Sequence, residues 1–227
     1  MSAYRCIVFD LDGTLVDSSH DIAAALNRVL APLGGTHLTA AQVVPLLGEG
    51  VHRLVAGSLV EAGLAGTEAE VAEVAPLYVA AYEEHPVVET VLYPGVRQTL
   101  SELVAARVPL GVCTNKNEAI ARQVLDGLGV ADCFTSVVGG DRDVPRKPDP
   151  SHLLAVFDEL GQSPASGALV GDSPIDQQTA ARASVDFFAV EWAPADVGGA
   201  RLTPFAQLVA LVHPNGADSS TPQTQEM

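Results

Sequence analysis

The stretch FDLDGTLVDS, Phe9 to Ser18, places Asp10, Asp12 and Asp17 directly after the apolar run of residues 5–9. A short apolar run ending at a glycine turn predicts a buried strand. Carboxylates at the mouth of such a strand are costly unless hydrogen-bonded, paired or bound to a metal. Residues i and i+2 of an extended segment point the same way, so Asp10 and Asp12 can face one ligand. Three later segments end in similar residues: Thr114, Asn115 and Lys116 after PLGVC, Lys147 within RKPDP, and Asp172, Ser173 and Asp176 after GALVG. Ligands of open parallel sheets bind beyond the carboxyl ends of the strands, so all four groups would meet in one crevice.

The elements needed to position them are legible as a rhythm. Strands are expected at 5–9, 109–114, 136–139, 167–171 and 186–191. Helices are expected at 18–33, 95–107, 117–128, 151–160 and 175–183. A last helix is expected from Thr203-Pro204, with Thr as cap and Pro at its first position. Strands alternating with helices predict an α/β fold with a doubly wound, Rossmann-like parallel sheet. Residues 21–88 carry helical patterns, and Thr39–Gln42 and Thr67–Glu70 both fit a capping box. That stretch predicts a small helical cap inserted after the first strand. The expected division is 1–17 with 90–213 as the core, 18–89 as the cap, and 214–227 as a disordered polar tail.

Composition bounds the partners. The chain has 227 residues, 48% of them apolar, and 28 acidic against 12 basic side chains, for a net charge of −16. Such a surface disfavours nucleic acid and anionic membranes. An anionic substrate would need a local cluster of bases and a metal. Three widely spaced cysteines, Cys6, Cys113 and Cys133, read as small hydrophobes in a reducing compartment. No window approaches the ~20 apolar residues of a membrane span. A soluble cytoplasmic protein, monomer or homodimer, is expected.

Four motifs, DLDGT (Asp10–Thr14), CTN (Cys113–Asn115), Lys147 and GDSPID (Gly171–Asp176), resemble in order and spacing those of the haloacid dehalogenase superfamily of phosphohydrolases. The resemblance runs to about Val212. It implies that Asp10 is a nucleophile forming an aspartyl-phosphate. Asp12 would be the general acid and base, its proton retained through burial and a neighbouring carboxylate. Gly13 and Thr14 would shape the phosphate turn, and Thr114, Asn115 and Lys116 would contact phosphate or substrate. Lys147 would neutralise charge on Asp10 and the phosphoryl group. Mg²⁺ would be held by Asp10, Asp172 and the Asp12 carbonyl, with Asp176 supporting that shell directly or through water. Read singly, the same residues have plainer roles: Asp12, Asp17 and Asp176 as turn or helix-cap acids, Thr114-Asn115 as a capped turn, Lys147 as a solvated loop lysine, and Trp192 as packing.

Within the superfamily, LLGEGVHRLV (46–55), LYPGVRQTL (92–100), TNK and KPDP are most similar to phosphoglycolate phosphatases. The resemblance implies a small phosphorylated metabolite as substrate, best matched by 2-phosphoglycolate. The Gly48-Glu49-Gly50 loop would face the active site, with Arg53 either gripping a substrate carboxylate or standing exposed. Two positions depart from relatives: Val185, and Ala193-Pro194 after Trp192, stand where glycine is usual. Alternatives on the same scaffold are a sugar phosphomutase and a non-catalytic binding protein.

Overall fold

The computed structural model describes residues 4–212; the expected tail of 214–227 lies outside them. Elements follow in chain order: β1 (Cys6–Phe9), β2 (Val16–Asp17), α1 (Ser19–Leu30), α2 (Ala40–Val43), α3 (Val51–Glu61), α4 (Glu68–Glu83), β3 (Val91–Leu92) and α5 (Val96–Ala105). Then come β4 (Leu110–Cys113), α6 (Glu118–Gly127), β5 (Ser136–Val138), α7 (Pro150–Leu160), β6 (Gly167–Gly171), α8 (Pro174–Ala183), β7 (Asp186–Ala189) and β8 (Ala200–Arg201).

Six strands form one sheet in the order β5-β4-β1-β6-β7-β8, and every neighbouring pair is parallel. β1 shows why both faces must be covered. All four of its residues are buried; Ile7 and Phe9 belong to one apolar cluster, and Cys6 and Val8 to the other. The first cluster takes in α5 and α6 through Leu100, Leu103, Ile120 and Val124. The second takes in α7 through Leu153, Val156 and Phe157 and α8 through Ala180. Period-2 side chains on a strand buried on both faces give this sandwich of helix, sheet and helix.

Helices α1–α4 are inserted between β2 and β3, which pair antiparallel, Val16 with Leu92 and Asp17 with Val91. Both expected capping boxes form, at Thr39–Gln42 and Thr67–Glu70. Asp21, in the first turn of α1, accepts the backbone N–H groups of Val88, Glu89 and Thr90 and the Thr90 hydroxyl. Burial alone would raise this carboxyl; the Thr90 hydroxyl and the three N–H groups more than offset that and hold it below the usual range.

Two sequence expectations are corrected here, and one departure from relatives is explained. No α-helix starts at Thr203-Pro204: residues Phe205–Leu211 form a 3₁₀ helix with Pro204 as its N-cap. Seven residues are too few for a self-sustaining α-helix, and buried Phe205 and Leu208, three apart, suit the tighter winding. The strand expected over 186–191 stops at Ala189, and β8 adds a sixth strand. Val185 does not need glycine's freedom, because Ser184 takes the left-handed turn at φ 56° and Val185 packs into the second cluster.

Candidate active site

After β1 the chain turns back tightly: the Leu15 and Val16 N–H groups reach the Leu11 carbonyl, and the Gly13 N–H reaches the Val16 carbonyl. Gly13 has φ +83°, and a Cβ there would stand 2.3 Å from Asp172 Oδ2. Glycine is required both by its backbone angle and by the approach of Asp172. Thr14 Oγ1 donates to Asp172 Oδ1 at 2.7 Å, tying the turn to the end of β6.

Asp10 is buried and lies 2.8 Å from Lys147 Nζ. Lys147 Nζ also donates to Asp176 Oδ1 at 2.6 Å. Asp176 caps α8 reciprocally with Ser173: its Oδ2 accepts the Ser173 hydroxyl at 2.6 Å, and its N–H donates to Ser173 Oγ. Both oxygens of Asp176 are thus engaged, so its part in a metal shell would be support. The solvated-loop reading of Lys147 is excluded by its burial. Burial works against its ammonium, yet Asp10 and Asp176 more than offset this and raise its pKa.

Carboxylate oxygens of Asp10, Asp172 and Asp176 lie within 4.8 Å of one another. Burial raises the pKa of Asp10 and Asp172, and their mutual repulsion with Asp176 adds to it. One lysine does not balance three acids, two of them buried and the third, Asp172, partly so. The donors are all hard oxygens, the set that suits Mg²⁺ or a similar divalent cation.

Asp12 shares a cavity with Asp10, as the i, i+2 spacing predicts. Its surroundings differ from expectation. Lys116 Nζ donates to both Asp12 oxygens at 2.9 Å, and Ser18 Oγ donates to Oδ1 at 2.5 Å. The groups directly on Asp12 are therefore an ammonium and a hydroxyl in place of a carboxylate. Lys116 is correspondingly an Asp12 partner, with its Nζ 4.5 Å over the Tyr82 ring. Burial opposes its charge, and Asp12 more than restores it.

Thr114 accepts the Lys116 N–H at 3.2 Å, which leaves its own hydroxyl hydrogen for an oxygen in the Asp10 cavity. The Asn115 side chain is spent elsewhere: Nδ2 donates to the carbonyls of Gly48 and Lys147. Gly48 does face the site. Arg53 does not line the cavities of Asp10 and Asp12; its side chain is 77% exposed, pairs with Glu49 at 3.6 Å, and lines a neighbouring cleft with Arg146, Lys147 and Gln178. Asp17 is a local cap, accepting the Ser19 N–H and hydroxyl.

The reactive side of Asp10 and Asp12 opens into two cavities. One of about 50 Å³ is walled by Ile22, Leu47, Leu54 and Tyr78. The other, of about 360 Å³, lies between Val44-Pro45 and Trp192-Pro194. Sequence reasoning missed three supports. Trp192 Nε1 donates to the Gly13 carbonyl at 2.8 Å, and its ring stacks on Tyr93 with centroids 4.4 Å apart. His152 Nδ1 accepts the Lys147 N–H at 3.2 Å, while its Nε2 faces the Gly139 carbonyl at 3.1 Å. Ser18 holds Asp12. Only the last carried a signal, its closeness to the motif.

Comparison with known proteins agrees with this geometry. The family model "haloacid dehalogenase-like hydrolase" matches residues 7–190. The phosphoglycolate phosphatase of Rhodospirillum rubrum is 39% identical over 215 residues, covering 91% of this chain and 85% of that one. The phosphoglycolate phosphatase of Cereibacter sphaeroides is 39% identical over 181 residues, covering 80% and 82%. A haloacid dehalogenase-superfamily hydrolase of subfamily IA from Geobacter sulfurreducens superposes with a TM-score of 0.70 at 25% identity, covering 93% of this chain and 97% of that one. By its sheet order, its four converging motifs and these matches, the chain belongs to the haloacid dehalogenase-like hydrolase family.

Proposed function

We propose that the protein is a Mg²⁺-dependent phosphomonoesterase of a small phosphorylated metabolite, 2-phosphoglycolate being the best match, and that it works through an aspartyl-phosphate on Asp10. The observation that carries this reading is the cluster of buried Asp10 and Asp176 and partly buried Asp172 against Lys147, with Asp12 on the same cavity as Asp10. Asp10 Oδ attacks phosphorus, the P–O bond to the leaving group breaks, and Asp12 gives that oxygen its proton. Asp12 then takes a proton from the water that cleaves the Asp10–phosphate bond, which returns Asp10 and frees phosphate. Mg²⁺, held by Asp10, Asp172 and the Asp12 carbonyl and buttressed by Asp176, would neutralise charge on the phosphoryl oxygens when bound. Lys147 adds a fixed positive charge beside Asp10, and Thr114 offers a hydroxyl hydrogen. Ser18 and Lys116 hold the Asp12 side chain in place, and the proton it gives to the leaving oxygen is the one it took from water in the preceding turnover.

Residues 18–89 act in this reading as the cap over a core of 1–17 and 90–213. The two cavities beside Asp10 and Asp12, of about 50 and about 360 Å³, have room for a small phosphorylated metabolite. The relatives named phosphoglycolate phosphatase supply the particular substrate. Burial pushes the Cys6 thiol up to about 11 and Cys113 up to about 12, so both stay inert thiols. A cytoplasmic monomer or homodimer is part of the same proposal. The test is kcat/KM over a panel of 2-phosphoglycolate, sugar phosphates, nucleoside monophosphates and pyrophosphate. A preference of at least tenfold for 2-phosphoglycolate is expected. A preferred sugar phosphate would keep the chemistry and discard the substrate.

A further inference from the structure

We infer that Asn115 is a positioning residue that clasps the cap loop to the loop of the catalytic lysine. The inference builds on the reading of Lys147 and of the cap given above. Both hydrogens of the Asn115 amide are engaged, one by the Gly48 carbonyl at 2.8 Å and one by the Lys147 carbonyl at 3.0 Å. Both partners only accept, which fixes the nitrogen end of the amide. The other end, Oδ1, is buried and has no partner among the described residues. Oδ1 is itself an acceptor, so a phosphate dianion could not satisfy it. This side chain offers a phosphoryl oxygen nothing.

Lys147 is held at both ends of its own backbone. Its carbonyl accepts from Asn115, and its N–H donates to His152, which is anchored in turn at the Gly139 carbonyl. A continuous strap therefore runs from Gly48 through Asn115, Lys147 and His152 to Gly139. Its core end is rigid: a Cβ on Gly140 would stand 2.4 Å from the Asn115 carbonyl oxygen. Its cap end is the turn of Gly48 and Gly50, both at positive φ, which among the described residues packs against Ile175 and Arg146 and is hydrogen-bonded to the core at Asn115. Asn115 thus ties the seating of the cap loop to one of the two anchors of the Lys147 backbone, the other being His152. A leaving group small enough to let the loop seat gains the clasp, and one that props the loop away forgoes it.

The experiment compares the full-length protein with Asn115→Ala and with the isosteric Asn115→Asp, which turns both donors into acceptors and opens no cavity. Hydrogen–deuterium exchange should accelerate at least tenfold in residues 47–51 and 145–148 together. His152→Gln should loosen 145–148 and leave 47–51 as in wild type. Unchanged exchange at 47–51 in both Asn115 variants would overturn the clasp. In turnover, kcat for 2-phosphoglycolate should fall at least fivefold more than kcat for p-nitrophenyl phosphate, whose ring keeps the loop from seating. Equal falls would overturn the proposal, because a phosphate ligand serves every substrate alike. If wild type releases phosphate from neither compound, the reading of the site fails, and the exchange experiment still decides the clasp.

Discussion

Replacing Asp176 by Ala removes one of the two acids on Lys147 and the Asp176 half of the capping box at α8, whose N-cap Ser173 stays. Lys147 keeps Asp10 as its partner, so no buried charge is left alone. The loss is that of a hydrogen bond to a charged group, about 1.5–3 kcal/mol. Urea denaturation of Asp176→Ala should show a loss in that range; a loss under about 1 kcal/mol would mean that Lys147 does not depend on Asp176. His152 gives a pH signature. Burial, then the Lys147 charge, lowers its pKa to about 4 from 6.5. Between those values the unfolded chain binds a proton that the folded chain refuses, so this group's contribution weakens as pH falls from about 6.5 to about 4. Linkage gives about 2 kcal/mol between pH 7 and pH 5. The raised carboxyls of Asp10 and Asp172 act in the opposite direction, stabilising the fold as pH falls through their raised range. Wild type minus His152→Gln cancels them. The difference in unfolding free energy between the two proteins should therefore shift by about 2 kcal/mol from pH 7 to pH 5. The aspartates were legible in the sequence because residue type and i, i+2 spacing are local. The partners of Asp12, and of the Lys147 backbone, were not, because Lys116, Ser18 and His152 reach them only after folding.

At the scale of elements, the sheet was legible because its strands are apolar runs closed by turns, and its helices carry caps and periodic apolar faces. What escaped was short or irregular: the two-residue β2, β3 and β8, and the 3₁₀ turn of Phe205–Leu211. Two residues cannot show alternation, and seven cannot show a helical period. The β2–β3 pair matters because both crossings between core and cap pass through it. Asp21 binds the second crossing to the first turn of α1 through three N–H groups and a hydroxyl. Asp21→Ala leaves the buried N–H and hydroxyl of Thr90 without their acceptor, while the exposed Val88 and Glu89 N–H groups turn to water. A loss of about 1–3 kcal/mol is expected per buried group of Thr90. Exchange should rise in residues 86–91 ahead of the sheet strands. Uniform exchange across the molecule in this variant would show that Asp21 supports the whole fold, with no special part in the hinge.

For the whole molecule, a net charge of −16 makes the site an exception on its own surface. An anion approaches only where a cation and Lys147 reverse the local sign. A cation bound to the folded chain alone stabilises it by about 2.7 kcal/mol at 100 times its dissociation constant. Mg²⁺ should therefore raise Tm in wild type, and the rise should disappear in Asp172→Asn. An equal rise in both would place the ion elsewhere. The central claim is that Asp10 is a nucleophile acting within an occupied cation site, and phosphate release tests it most directly. Wild type and Asp10→Asn are compared on 2-phosphoglycolate, each with Mg²⁺ and with chelator. The account predicts turnover by wild type with Mg²⁺, at least a thousandfold less with chelator, and at least a thousandfold less for Asp10→Asn with its fold intact. Phosphate release by Asp10→Asn at a rate near that of wild type would contradict it.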